Sequence, residues 1–260
     1  MINHMVSKKV SDSGEPLVSI ITSTFNAVTH LPAAIESIQS QNYQNFEWII
    51  IDACSNDGTV DLIKQHEDVI DYWISEPDKG IYEAWNKGLA VAQGEWVCFL
   101  GADDSLMPNA ISDMLAYQKQ SAEQFDFICG RVEMYDGNKL LRTIGRPWDW
   151  IIFKQYMCVA HTGALHRRSY FERYGEFDTT FRISGDYELL LRSGETLKAG
   201  FISKVIARMQ IGGQSNGNAV VFEEVLRVRL LHGLTTPFWG KLHAKWSEVK
   251  WHLRRYLIGV

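Results

Sequence analysis

A chain of 260 residues that is 46% apolar can bury a substantial core, as one large α/β domain or as a domain with an appendage. Its formal net charge of −5 argues against a general nucleic-acid binder. Four scattered cysteines, Cys54, Cys98, Cys129 and Cys158, form no C-x-x-C pair and fit buried thiols in a reducing compartment, and no apolar run approaches the roughly 20 residues of a membrane-spanning helix.

Residues 1–16 are polar and hold no signal-peptide core, so they read as the flexible N-terminus of a cytoplasmic protein. Residues 17–24, LVSIITST, form the first strand. A helix follows with Leu31, Ala34, Ile35 and Ile38 on one face and Pro32 in its first turn, and residues 46–51, FEWIII, form the second strand. Strand, helix and strand at this spacing predict a βαβ unit and a parallel sheet. The second strand ends at Asp52. A turn containing Asp57-Gly58 leads to a short helix from Thr59, and residues 72–75 make a third strand.

The most informative stretch is 75–104, SEPDKGIYEAWNKGLAVAQGEWVCFLGADD. A polar loop precedes Ile81, Ala84, Trp85, Gly88, Leu89 and Ala92, which recur at helical spacing. Gly94 is expected to end that helix in a left-handed turn. Residues 95–100 then form a buried strand that runs into Gly101-Ala102-Asp103-Asp104. Beyond it the sequence predicts a helix over 108–117 and a strand over 125–134. A turn at Asp136-Gly137-Asn138 starts an antiparallel hairpin into 139–144, so the parallel half gives way to a mixed half near residue 105. The aromatic run Trp148, Trp150, Phe153 reads as core. A short apolar helix carries Leu189, Leu190 and Leu191, with Asp186 at its start. Residues 199–209 form a last strand, 211–215 a loop, and 219–231 and 238–257 two helices.

Three carboxylate positions invite chemistry. Asp52 at a strand end can accept hydrogen bonds from a base N–H or a ribose hydroxyl, whereas Asp57 fits a side-chain turn. Asp103 and Asp104 stand at the carboxyl end of a buried strand, where an open α/β sheet faces its ligand crevice. They could ligate a hard divalent cation, or shape a turn and cap the following helix. Asp186 could cap a helix or serve as a general base. In the last helix Phe238, Trp239, Leu242, Trp246, Val249, Leu253, Tyr256 and Leu257 fall in one stripe, flanked by Lys241, Lys245, Lys250, Arg254 and Arg255, with Glu248 the sole acid. Packing on the core is the default for such a stripe; the flanking cations and tryptophans also suit a membrane interface.

Taken together, VSIITSTFN, IDACSNDGT, SEPDKGIYEAWNKG, GEWVCFLGADD, LHRRSYFERYGEFD and SGDYEL resemble the family-2 glycosyltransferases over most of residues 17–216. The resemblance implies a GT-A fold: a Rossmann-like, mixed and mainly parallel sheet flanked by helices, here spanning 17–216, with a C-terminal helical extension over 217–260. It implies an inverting enzyme that moves a sugar from a nucleotide-diphosphate sugar to an acceptor hydroxyl, in polysaccharide or glycolipid biosynthesis. Thr24, Asn26, Asp52, Asp78, Lys79 and Asp103 would bind the nucleotide, and Asp103 with Asp104 would hold Mg²⁺ or Mn²⁺. Asp186 would be the catalytic base, with His161 and Glu188 near the substrate. The acceptor would be a saccharide or lipid-linked, met in the cytoplasm or through residues 238–257 at the inner membrane face. Gly101 departs from the family, since many relatives carry an aspartate or asparagine there. With no G-x-G-x-x-G and no G-x-x-x-x-G-K-[ST], neither a dinucleotide fold nor a P-loop is supported. A nucleotidyltransferase would need a basic glycine-rich loop where TSTFNAVT stands, and a non-catalytic sugar-nucleotide module remains a rival.

Overall fold

The computed structural model describes residues 2–5, 14–211 and 220–258. Its first half is a repeating strand–helix layout. The strands are β1 (Ile2–Met5), β2 (Val18–Thr24), β3 (Phe46–Asp52), β4 (Tyr72–Ser75) and β5 (Trp96–Gly101), and the helices are α1 (Leu31–Gln39), α2 (Thr59–Gln65) and α3 (Ile81–Val91). The second half holds β6 (Ser105–Leu106), α4 (Ala110–Gln120), β7 (Phe127–Asp136), β8 (Lys139–Ile144), α5 (Trp150–Phe153), β9 (Leu165–Arg167), α6 (Arg168–Tyr174), α7 (Gly185–Leu191), β10 (Ala199–Gln210), α8 (Val220–Leu231) and α9 (Pro237–Ile258).

Among the described residues these strands form one sheet in the order β1-β4-β3-β2-β5-β9-β7-β10-β6, with β8 on β7. β4, β3, β2 and β5 run parallel. β9 enters antiparallel to both β5 and β7, and β10 is parallel to β7. The expected change from a parallel to a mixed sheet therefore falls next to β5. β2 lies inside the parallel half and is buried on both faces, as a strand covered by helices on two sides must be. Val18 and Ile20 face a layer with Leu31, Ile35, Ile38, Ile63 and Met114. Ile21 faces the opposite layer with Tyr82, Trp85, Phe171, Leu189 and Val228. Fully burying each large apolar side chain stabilises by roughly 1.5–3 kcal/mol. Trp48, also fully buried, satisfies its indole by donating Nε1–H to Thr22 Oγ1 at 3.0 Å.

Several expectations need correction. The N-terminus is not wholly loose: Ile2–Met5 adds antiparallel to β4, whose unpaired edge is a ready template for another strand. Gly94 does not terminate α3 through a left-handed turn. The helix stops at Val91, and Ala92 turns extended at φ −63° and ψ 134°. What Gly94 supplies is room. A Cβ there would lie 2.6 Å from both Ser19 N and Trp96 O, and its N–H donates to Ser19 Oγ at 2.8 Å. The short strand β6, antiparallel to β10, was not foreseen from the sequence, because two residues carry no periodicity. The helical extension also begins later than its sequence suggests. Val228 is fully buried in the second core layer, so α8 belongs to the domain. Cys98, Cys129 and Cys158 are buried and Cys54 is exposed, all as free thiols. The loop expected over 211–215 lies, from Gly212 on, outside the described residues.

Candidate active site

The parallel strands deliver their carboxyl ends to one edge, and the candidate residues collect there. Parallel register sets Thr24 beside Asp52 and Asp52 beside Ser75. Asp52 is fully buried, and four donors converge on it. Thr24 Oγ1–H donates to Oδ1 at 2.9 Å, Ser55 donates through its hydroxyl at 2.5 Å and its backbone N–H at 2.9 Å, and Ser75 Oγ–H donates at 2.6 Å. A buried carboxylate is stable only when so satisfied. Asn26 and Lys79 are exposed in front of this cluster, in the loops after β2 and β4. Asn26 sits at φ 49°, a left-handed conformation asparagine tolerates, and its Oδ1 accepts Asn56 N–H at 3.0 Å. Asp57 makes the side-chain turn expected of it: Oδ1 accepts Thr59 N–H and Oγ1–H, and Oδ2 accepts Val28 N–H. The Thr59 hydroxyl is the main cause holding its carboxyl below the ordinary range. Asp78 Oδ1 accepts Gly80 N–H at 2.9 Å, and partial burial raises its pKa. Lys87 closes this loop from α3, donating to Pro77 O at 2.9 Å and pairing with Glu76 at 2.9 Å.

At the end of β5 the chain turns through Asp103 and Asp104. Neither caps the next helix. Asn109 holds the N-cap position of α4, and no side-chain cap bond is made there. Asp104 is buried, and its Oδ1 has no hydrogen-bond partner among the described residues. Burial, and then the neighbouring Asp103 charge, push its pKa well up; the Thr162 hydroxyl and backbone N–H groups work against that rise. A Cβ on Gly101 would lie 2.8 Å from Asp103 Oδ1 and 2.8 Å from Asp104 Oδ2. The missing side chain at the family's first acid position is thus the space into which both carboxylates fold. Two converging carboxylates with one orphaned, buried oxygen fit a hard cation, since Mg²⁺ is commonly bound by one or two carboxylates with substrate phosphates and water completing the shell. No group of three or more acidic, histidine or cysteine ligands occurs among the described residues, so such an ion would depend on the donor for part of its coordination.

Asp186 is held by contacts from both ends of the chain. It lies in the first turn of α7, where the helix dipole favours an anion, and its Oδ1 accepts Tyr187 N–H at 2.8 Å. Tyr82, from the α3 stretch, donates its hydroxyl to Ile183 O at 2.6 Å, stands 3.4 Å from Asp186 Oδ1 and accepts Asp186 N–H at 3.3 Å. Gly185 lets the ring approach, since a Cβ there would meet Tyr82 carbons at 2.7–2.9 Å. Behind the loop, buried Glu224 of α8 accepts the backbone N–H groups of Arg182, Ile183 and Ser184 at 2.7–2.8 Å. Sequence reasoning missed both Tyr82 and Glu224. Tyr82 shares a helix face with Trp85 and Leu89 and could have been found by that spacing. Glu224 reads as an ordinary solvated helix acid, and no local signal marks it.

His161 is buried against Trp85 and Phe99, with ring centroids 5.3 and 5.7 Å away, and its Nε2 has no partner among the described residues. Burial lowers its pKa, which keeps it neutral at pH 7, against a smaller opposing influence from Asp186. Thr162 beside it reaches Asp104, so the His161-Thr162 segment links the acid pair to the neighbourhood of Asp186. Glu188, two residues along from Asp186 and so on the other side of α7, is committed elsewhere. It pairs with Arg192 at 2.5 Å and with His232 Nε2 at 3.1 Å, and Arg192 in turn donates to Tyr174 O and Glu176 O. The Glu188 carboxylate is thus occupied by two half-buried cationic or imidazole partners from the ends of α7 and α8.

The glycosyl transferase family 2 profile matches residues 19–183, more than half of the chain and every element from β2 to the loop before α7. A "PGL/p-HBAD biosynthesis glycosyltransferase" of Mycobacterium bovis (strain BCG / Pasteur 1173P2) is 29% identical over 227 residues, 82% of this chain and 83% of that protein. The "Putative teichuronic acid biosynthesis glycosyltransferase TuaG" of Bacillus subtilis (strain 168) is 33% identical over 136 residues, 51% of this chain and 54% of its own. Among solved structures, S. aureus TarS 1-349 in complex with UDP-GlcNAc superposes with a TM-score of 0.68 at 16% identity, over 85% of this chain and 67% of that one. The mannosyltransferase PcManGT from Pyrobaculum calidifontis, in complex with GDP-Man and Mn2+, gives 0.60 at 19% identity, over 85% of this chain and 64% of its own. These last two speak for the fold. With the family match they make the expected architecture a finding: this chain belongs to glycosyl transferase family 2 and has the GT-A fold.

Proposed function

We propose that the protein is an inverting, metal-dependent glycosyltransferase that transfers a sugar from a nucleoside-diphosphate sugar to a hydroxyl of a saccharide or lipid-linked acceptor. The acceptor would belong to cell-surface polysaccharide or glycolipid assembly and be met at the cytoplasmic face of the membrane. The family, and relatives named for glycolipid and teichuronic acid biosynthesis, support that setting. Among the described residues no helix is long and apolar enough to cross a membrane. The observation that carries the chemistry is the strand-end geometry, with a carboxylate pair after β5 in which buried Asp104 has an orphaned oxygen, and with the Asp186 backbone N–H held by the Tyr82 hydroxyl of the adjoining α3. Asn26, Asp78 and Lys79 would flank the nucleoside, with Thr24 and Asp52 behind them bracing the three strand ends.

Asp103 and Asp104 would hold Mg²⁺ or Mn²⁺, which supplies charge neutralisation for a departing nucleoside diphosphate. Asp186 takes the proton of the acceptor hydroxyl as that oxygen attacks the anomeric carbon from the face opposite the diphosphate. The new glycosidic bond forms as the bond to the diphosphate oxygen breaks, and one displacement inverts the centre. Tyr82 and Glu224 keep the Asp186 backbone where that base must stand. His161, neutral and buried next in sequence to the Thr162 that reaches Asp104, could offer its unpartnered Nε2 to the sugar or diphosphate. A thermal-shift screen of nucleotide sugars with and without Mn²⁺ tests the reading, because a ligand of the native state raises the melting temperature by mass action. A Mn²⁺-dependent shift by at least one nucleotide sugar, with product of inverted configuration from that donor, is expected. No shift with any donor would refute it.

A further inference from the structure

The helix α9 turns the described part of its apolar stripe, Phe238 to Leu253, away from the protein. At about 100° per residue, Gly240, Ala244, Ser247, Glu248 and Trp251 share one face, and Phe238, Trp239, Leu242, Trp246 and Val249 lie nearly opposite. The first face is the packed one. Gly240 is buried, a Cβ on it would lie 2.4 Å from Leu226 Cδ1 of α8, and Trp251 meets Phe222 edge-on at 6.1 Å. The second face is open: Phe238 is 72% exposed, Trp239 63%, Leu242 56% and Trp246 59%. An exposed row of this size marks an interaction surface.

Its borders indicate what it meets. Lys241 and Lys245 flank the stripe on one side and Lys250 on the other, all exposed, and the Lys250 ammonium lies 5.8 Å from the Trp246 ring. Residues 237–258 carry five lysines and arginines against one acid, in a chain whose net charge is −5. A protein core or an ordinary dimer seam has no use for such a border, whereas aromatic and leucine side chains rimmed by cations match a bilayer interface with anionic headgroups. We propose that α9 docks this enzyme, through Phe238, Trp239, Leu242 and Trp246, on an anionic lipid surface. The proposal gives the lipid-linked acceptor of the preceding reading a place to be met, and rests on that reading only for its purpose. α8, which α9 packs against, also carries Glu224, so the docking helix is one helix removed from the Asp186 loop.

Cosedimentation of the full chain with phosphatidylcholine vesicles, with and without phosphatidylglycerol, tests it. The protein should pellet with the anionic vesicles at low salt and be released by high salt. Lys241→Glu with Lys245→Glu should weaken binding about twentyfold or more, each lost cation near the surface counting for about fivefold. Leu242→Glu with Trp246→Glu should abolish binding while circular dichroism and donor-induced thermal shift stay as in the wild type. Equal or absent binding to both vesicle types at low salt would overturn the proposal. So would concentration-dependent self-association that the Leu242→Glu/Trp246→Glu variant abolishes, since a second copy would then cover the stripe. Vesicle binding is read without any sugar: a chain that binds but transfers nothing refutes the enzyme reading alone, and one that transfers but does not bind refutes the docking surface alone.

Discussion

Asp52 and Asp104 stand at the ends of strands on either side of β2, and the structure treats them oppositely. Asp52 is closed: its two oxygens receive four donors from three neighbouring segments. Asp104 is as deeply placed, yet one oxygen meets nothing among the described residues and its nearest charged neighbour is another carboxylate. The first arrangement stabilises the fold by itself. The second is costly until something positive arrives, because a buried, unpaired carboxylate is destabilising. An acid at a strand end is therefore not one feature but two, and its donors tell which. Asp186 lies between the extremes, with Oδ1 accepting the Tyr187 N–H and standing 3.4 Å from the Tyr82 hydroxyl, whose proton is given to Ile183 O.

The largest effect should come from the open pair. Asp103→Ala is expected to abolish the Mn²⁺-dependent thermal shift and to cut transfer by about a thousandfold or more, as loss of several kcal/mol of charge stabilisation implies. The metal-free melting temperature should not fall. A variant that kept metal-responsive turnover would remove the contrast with Asp52. Next in size, Asp186→Asn should lower kcat by about 10² or more with donor affinity kept, the usual range for a general base. Should donor affinity fall in parallel, Asp186 is a donor contact instead.

Asp52→Asn should act on stability. It leaves buried hydroxyls of Thr24, Ser55 and Ser75 competing for one acceptor, and a hydrogen bond to a charged group is worth roughly 1.5–3 kcal/mol. A melting temperature lower by about 3–12 °C is expected for a chain of this size, read by calorimetry. Loss of nucleotide affinity at unchanged stability would instead place Asp52 in contact with the base.

The smallest effect sharpens the cost of burying an ionisable group without partners. Burial, and then nearby His161, hold the His166 pKa well below the ordinary 6.5, and neither ring nitrogen has a partner among the described residues. The unfolded chain therefore takes up a proton as pH falls below 6.5 while the folded chain does not, so stability is lost from 6.5 downward toward the lowered value. His166→Phe should flatten that part of the stability profile and stay within about 1 kcal/mol of wild type at neutral pH, since an apolar ring leaves no nitrogen unmet. An unchanged slope between pH 5 and 6.5, measured by urea denaturation, would assign the acid sensitivity elsewhere.

The sequence by itself determined the strands and helices of the parallel half, the hairpin at Gly137, the acid pair after β5 and the aspartate opening α7. These follow from local periodicity, turn residues and motif spacing, which a linear reading contains. Only the tertiary structure decided that Gly101 is the space the two carboxylates fold into, that Asp52 is saturated and Asp104 is not, and that Glu188 is spent on Arg192 and His232. It also decided that Tyr82 and Glu224, 142 positions apart, hold the same loop, and that the described part of the α9 stripe faces outward while Gly240 and Trp251 face α8. Each of these depends on which donors, charges and surfaces meet across long stretches of chain, and side-chain periodicity fixes only which face a residue occupies, not what stands opposite it.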